Sequence, residues 1–180
     1  LDCVVILYFS KNMSSIKYII VGLGSIGQRH CTNLLSLGVR ENEIGVVRRK
    51  KSTNPFGDAY LEKHKKIQIF NDLDKALDEK PRAVFITNPT SLHIQTALAS
   101  ARAGSHLFIE KPISTSVDHH LDELARETKH RKLIVLIGYH IRFNPLLQSI
   151  KQWIDDGKLG NIVSIQTEMS GRMPTWHPWE

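Results

Sequence analysis

The segment from Lys17 to Gly27 constrains the fold more than any other. An apolar run, Tyr18-Ile19-Ile20-Val21, breaks into Gly22, Gly24 and Gly27, and a helical pattern follows at once. A buried parallel strand reads as such a run, and a helix opening straight after it leaves its first N–H groups without intrahelical partners. Gly22 then permits the tight turn, Gly24 lets a pyrophosphate approach the main chain, and Gly27 lets the helix pack closely on the strand. Ser25 and Ile26 lie within the same cradle. The free N–H groups and the positive end of the helix dipole favour an anion there, so the segment predicts a dinucleotide site.

Alternation of strand-like and helix-like segments continues along the chain and predicts an α/β fold with a doubly wound parallel sheet, the Rossmann arrangement. The expected strands are 16–21, 44–47, 67–70, 83–86, 107–109 and 133–137. The expected helices are 25–37, 58–64, one begun by Asp72-Leu73-Asp74, one capped by Ser91 and closed by Gly104, and one opened by Ser116. Asn54-Pro55-Phe56-Gly57 reads as a turn. Beyond Gly138 the character changes: 145–154 reads as an amphipathic helix, and 162–169 as a half-exposed antiparallel strand. The domains expected are therefore a nucleotide-binding domain over 13–138 and the start of an α+β substrate domain over 139–180. Because one strand makes no stable sheet, the chain is expected to be a piece of a longer protein. Residues 1–12, apolar around Cys3 but too short to span a bilayer, are expected to lie outside the fold as an upstream extension, the alternative being an extra edge strand or docking tail.

The net charge of +6 favours anionic ligands in general. Scattered basic residues without interleaved aromatics argue against nucleic acid as the partner. Two cysteines build neither a metal site nor a disulfide framework, and with no secretory signal the cytoplasm is the expected compartment.

The one dense basic run, Arg48-Arg49-Lys50-Lys51, falls where NAD-selective sites carry a strand-end acid for the ribose hydroxyls. A guanidinium cannot accept from a hydroxyl but pairs with a 2′-phosphate, so Arg48 and Arg49 predict NADP in preference to NAD. Thr87-Asn88-Pro89-Thr90-Ser91-Leu92-His93 follows the fourth strand and should line the cofactor crevice, with Thr87, Asn88 and Pro89 nearest. His93, in the first turn of a helix, reads as a helix-packing or surface residue in preference to a ligand. Glu110-Lys111-Pro112 follows the fifth strand, where a lysine can donate to a substrate hydroxyl or carbonyl. Glu110 can orient that lysine or meet the ribose.

These segments, together with Gly138-Tyr139-His140-Ile141-Arg142-Phe143-Asn144-Pro145, resemble the glucose–fructose oxidoreductase/inositol dehydrogenase (Gfo/Idh/MocA) family over about residues 16–180. The resemblance implies an NAD(P)-dependent oxidoreductase acting on a sugar, sugar derivative or cyclitol. It makes Lys111 catalytic or substrate-orienting and sets Glu110, Thr87, Asn88, Pro89 and His93 along the cofactor. Tyr139, His140 and Arg142 would begin the substrate side. Trp176, His177 and Trp179 resemble a loop that approaches the active site in some members. The family's following β-sheet domain, with its proton-transfer histidine, has no counterpart in this sequence, and its open face implies a homo-oligomer at full length. Two readings compete with an enzyme: a nucleotide-binding module without catalysis, and an RNA-binding Rossmann protein.

Overall fold

The computed structural model describes residues 16–48 and 55–168. They fall into two compact units that divide between Tyr139 and His140. The first unit holds β1 (Tyr18–Val21), α1 (Ser25–Ser36), β2 (Ile44–Val47), α2 (Pro55–Lys63), β3 (Gln68–Phe70) and α3 (Leu73–Asp78). It continues with β4 (Ala83–Ile86), α4 (His93–Arg102), β5 (His106–Ile109), α5 (His119–His130) and β6 (Val135–Ile137). All pairings are parallel, in the order β3-β2-β1-β4-β5-β6. The order reverses between β1 and β4, which opens a crevice beyond their carboxyl ends.

Strand pleat explains why both faces of the sheet need helices. In β1, Ile20 points into one core with Leu23, Cys31, Leu34, Ile44, Val46 and Ile67. Its neighbours Ile19 and Val21 point the other way, into a core with Val84, Ile86, Ala97, Leu107, Ile109 and Leu124. Thus α1 and α2 cover one face, and α4 and α5 the other. The two buried layers fix the register of the central strands, because a slip of one residue would exchange the cores.

Three element boundaries differ from expectation. Pro55 opens α2 rather than a turn, since proline's fixed φ suits a first helical position where its missing N–H is not needed. Ser91 caps nothing: a 3₁₀ turn over Thr90–Leu92 comes first, closed by Leu92 N–H donating to the Pro89 carbonyl (2.8 Å), and α4 follows without a side-chain cap. Asp118 caps α5 in place of Ser116. Its carboxylate accepts from His120 N–H at 2.9 Å, while Ser116 Oγ donates to the same carboxylate.

The second unit contains a 3₁₀ turn, His140–Phe143, and α6 (Pro145–Asp155), which Asn144 caps by accepting from Leu146 N–H at 2.9 Å. Residues 162–168 form no strand, contrary to expectation, because no other segment among the described residues pairs with them. The expected extension at 1–12 and the Trp176, His177 and Trp179 segment lie outside the described residues. No described helix is long and apolar enough to cross a membrane.

Candidate nucleotide and substrate site

Every strand of the sheet ends on one edge, and hydrogen bonds stitch the loops there into a row. Arg48 N–H donates to the Phe70 carbonyl (3.0 Å), Gly22 N–H to Val47 (3.0 Å) and Thr87 N–H to Val21 (3.0 Å). Glu110 N–H donates to Ile86 (3.0 Å) and Gly138 N–H to Ile109 (2.8 Å). The ladder therefore runs one residue past each strand, and the loops start from fixed positions.

Within that row the three glycines have separable roles. Gly22 has φ +96°, a left-handed conformation, and a Cβ there would lie 3.0 Å from the Asn88 and Thr87 main chain. At Gly27 a Cβ would lie 2.1 Å from the Gly22 carbonyl oxygen, so helix and turn touch directly. Gly24 differs: a Cβ would meet nothing within 4 Å, and the residue occupies the N-cap of α1 with no side chain capping the helix. Unpartnered N–H groups at the start of a twelve-residue helix, facing open space, suit a pyrophosphate. Ser25 is exposed and Ile26 half-buried beside that space.

Thr87 is buried, and its hydroxyl is shared between the Val21 (3.0 Å) and Gly22 (2.8 Å) carbonyls, fastening the β4 loop to the glycine turn. Asn88 Nδ2 donates to Thr96 Oγ1 (2.9 Å), while Oδ1 is buried with no partner among the described residues. A buried acceptor without a donor is uncommon in a finished interior, and here it adjoins the crevice. Pro89 is exposed at the same loop. His93 is 2% exposed, and its ring nitrogens lie 2.8 Å from the carbonyl oxygens of Asn88 and Pro112. The ring joins the β4 and β5 loops from inside the protein, in line with the packing role expected.

At the end of β5, Glu110 Oε1 lies 2.9 Å from His30 Nε2, and Oε2 accepts from Lys111 N–H at 3.3 Å. His30 rises from α1 and packs on Phe85 and Phe108. Gly138 keeps room for this carboxylate, since a Cβ would come within 3.1 Å of it. The sequence assigned His30 no role. Its signal was helical spacing, because position 30 lies one turn beyond Gly27 on the face that packs toward the sheet. Lys111 itself is exposed, its peptide bond to Pro112 is cis, and its ammonium makes no hydrogen bond or ion pair among the described residues. Tyr139 follows β6 and is exposed. His140 and Arg142 are exposed in the second unit, where the Arg142 guanidinium lies 5.8 Å from the Phe143 ring centroid.

Of the basic run after β2 only Arg48 is described, and it differs from its expected role. Arg48 Nη1 sits 2.7 Å from Asp58 Oδ1, so the guanidinium expected to meet a 2′-phosphate is already paired with a carboxylate from α2. Sequence spacing gave no sign of that partner, which arrives from the following helix. Arg49 lies outside the described residues. Elsewhere, Asp118, His119 and His120 bring ligand-type atoms within 4.8 Å of one another at the start of α5. There Asp118 already caps the helix, and the dipole opposes a cation.

A six-stranded parallel sheet in this order, with a glycine-rich turn between β1 and α1 at its switch point, defines a Rossmann dinucleotide-binding domain. The chain belongs to the Gfo/Idh/MocA oxidoreductase family, whose profile, described as an oxidoreductase family with an NAD-binding Rossmann fold, matches residues 16–139. It is 29% identical over 143 residues to the uncharacterized oxidoreductase YrbE of Bacillus subtilis, covering 78% of this chain and 40% of that protein. It is 27% identical over 150 residues to myo-inositol 2-dehydrogenase of Thermotoga maritima, covering 78% of this chain and 41% of the relative. The chain thus spans about two fifths of the length of these relatives. Among solved structures, scyllo-inositol dehydrogenase from Lactobacillus casei with bound NAD(H) and scyllo-inositol superposes with a TM-score of 0.67 at 28% identity. That match covers 82% of this chain and 43% of the other.

Proposed function

We propose that this chain is the nucleotide-binding part of an oxidoreductase that uses a nicotinamide cofactor to interconvert a hydroxyl and a carbonyl on a sugar, sugar derivative or cyclitol. One juxtaposition carries the reading. The open, uncapped start of α1 at Gly24 and the Lys111 ammonium, which has no hydrogen bond or ion pair among the described residues, both lie on the carboxyl edge of one parallel sheet. Relatives named as inositol dehydrogenases support the substrate class.

The nicotinamide, when bound, supplies the two-electron acceptor or donor. The chain's own groups do the remainder. Main-chain N–H groups at Gly24, Ser25 and Ile26 would hold the diphosphate, and Asn88, whose buried Oδ1 has no partner among the described residues, would offer an acceptor to a cofactor hydroxyl. The Lys111 ammonium donates to the substrate oxygen, polarising a carbonyl or orienting a hydroxyl. Glu110 and His30 hold the main chain of Lys111 through the carboxylate that its N–H meets. His93 fixes the adjoining loop at Pro112.

Lys111→Ala in the complete gene product is the test. Turnover should fall at least ~100-fold, the ordinary scale for removing a proton-handling side chain, while NADH affinity changes by less than about threefold. Undiminished turnover would remove Lys111 from the chemistry. Cofactor binding with no turnover on any polyol would favour the module without catalysis.

A further inference from the structure

The geometry points to Asp58 as the residue that sets which nicotinamide cofactor this chain accepts, by neutralising Arg48 and thereby excluding the 2′-phosphate of NADP. This inference rests on the dinucleotide reading above and adds the specificity of that site.

Arg48 leaves the carboxyl end of β2 from a fixed main chain. Its N–H is held by Phe70, and the preceding Val47 carbonyl accepts from Gly22, the first glycine of the cradle. The guanidinium is therefore anchored beside the turn that would receive the diphosphate, on the side where the adenosine ribose of a dinucleotide lies in this fold. Left alone, a guanidinium there would attract a phosphate dianion and discriminate strongly for it.

It is not left alone. The Arg48 side chain is only 11% exposed and points to Asp58, which is 62% exposed. The first turn of α2 comes close because residue 57 is glycine. A Cβ there would stand 3.3 Å from the Leu23 carbonyl oxygen and 3.5 Å from Arg48 Nη1. Asp58 belongs to that first turn. Among the described residues, a second anion approaching Arg48 thus meets a guanidinium whose charge is already balanced and an exposed carboxylate that repels it. A ribose with free hydroxyls carries no such penalty, and a carboxylate can accept from it. The acid that usually ends the second strand is here supplied by the following helix, with an arginine as its tether.

The test is fluorescence titration of the 180-residue chain with NADH and with NADPH, for the unaltered protein, Asp58→Asn, and Asp58→Asn combined with Arg48→Ala. The unaltered chain should bind NADH more tightly. Asp58→Asn should shift the ratio of the two dissociation constants toward NADPH by roughly tenfold, and the added Arg48→Ala should abolish that gain. A shift of about fivefold or more, reversed in the double variant, supports the inference; a smaller shift overturns it. A gain that survives loss of Arg48 also overturns it, because the phosphate would then be held by other residues. Thermal midpoints check folding, and Asp58→Ser replaces the Asn variant should that one unfold. Failure of both nucleotides to bind the unaltered chain is a different result: it removes the dinucleotide reading, and this inference with it.

Discussion

Gly24 and Gly27 stand three residues apart, and the structure gives them opposite demands. A methyl group at Gly27 would sit 2.1 Å from a main-chain carbonyl oxygen, which neither helix nor turn can yield without moving. Gly27→Ala should therefore destabilise the chain by ~2 kcal/mol or more, read as a fall in urea midpoint. A methyl group at Gly24 meets no protein atom within 4 Å, and its φ of −72° suits alanine. Gly24→Ala should leave the thermal midpoint within a few degrees, the loss being limited to the weaker N-capping of alanine. The same change should weaken NADH binding by about tenfold or more, because the methyl fills the space left for the diphosphate. If both variants lose stability alike, the open space at Gly24 has been misread. Burial in the α1 core pushes the Cys31 thiol up to about 11, so it stays protonated at pH 8. Peptide-resolved alkylation at pH 8 should label Cys31 only after denaturant unfolds the chain; rapid native labelling would contradict its burial.

Elements whose signal is continuous burial were readable from sequence, and those set by local hydrogen bonding were not. Strands 44–47 and 83–86 match the observed β2 and β4 residue for residue, since Val46, Val84 and Ile86 carry the apolar run themselves. The connectors went differently. Ser116 and Asp118 are both good capping types, and the choice between them at α5 rests on which backbone N–H each side chain reaches, which spacing does not reveal. The Gly22, Thr87, Glu110 and Lys111 positions were legible because strand ends locate them. Asp58 and His30 were missed because each acts across elements, on β2 and β5 respectively. A further such tie is the junction before β2. Buried Glu43 accepts from Arg40 N–H and Nη2 (both 3.0 Å) and lies 2.5 Å from Lys17 Nζ. Hydrogen bonds from Arg40, with Lys17 beside it, hold its carboxyl down to about 2 against an ordinary 4.5. Because the folded value is the lower one, the stabilisation is fully present above pH 4.5 and disappears as pH falls toward 2. Glu43→Gln should be less stable at pH 7 and lose less stability than the unaltered chain between pH 5 and 2.5. Parallel acid-denaturation curves for the two proteins would show that Glu43 contributes nothing to that slope.

On the scale of the whole molecule, the parallel order β3-β2-β1-β4-β5-β6 does what no single motif can. It brings Arg48, Gly24, Asn88 and Lys111, spread from position 24 to position 111, to one edge, and leaves the connections on the opposite edge out of the site. Lys80, Gly104 and Lys132, in the turns that lead into β4, β5 and β6, mark that far edge. On the proposed function, a nicotinamide dinucleotide would lie along the carboxyl edge, its diphosphate over Gly24 and its reactive end toward Lys111. Amide resonances of the ¹⁵N-labelled chain, followed while NADH is added, test it most directly. Perturbations should concentrate at Gly22 to Gly27, Thr87 to Asn88 and Glu110 to Lys111, with Lys80, Gly104 and Lys132 unmoved. Perturbation centred on the far edge, or none at saturating NADH, would contradict it.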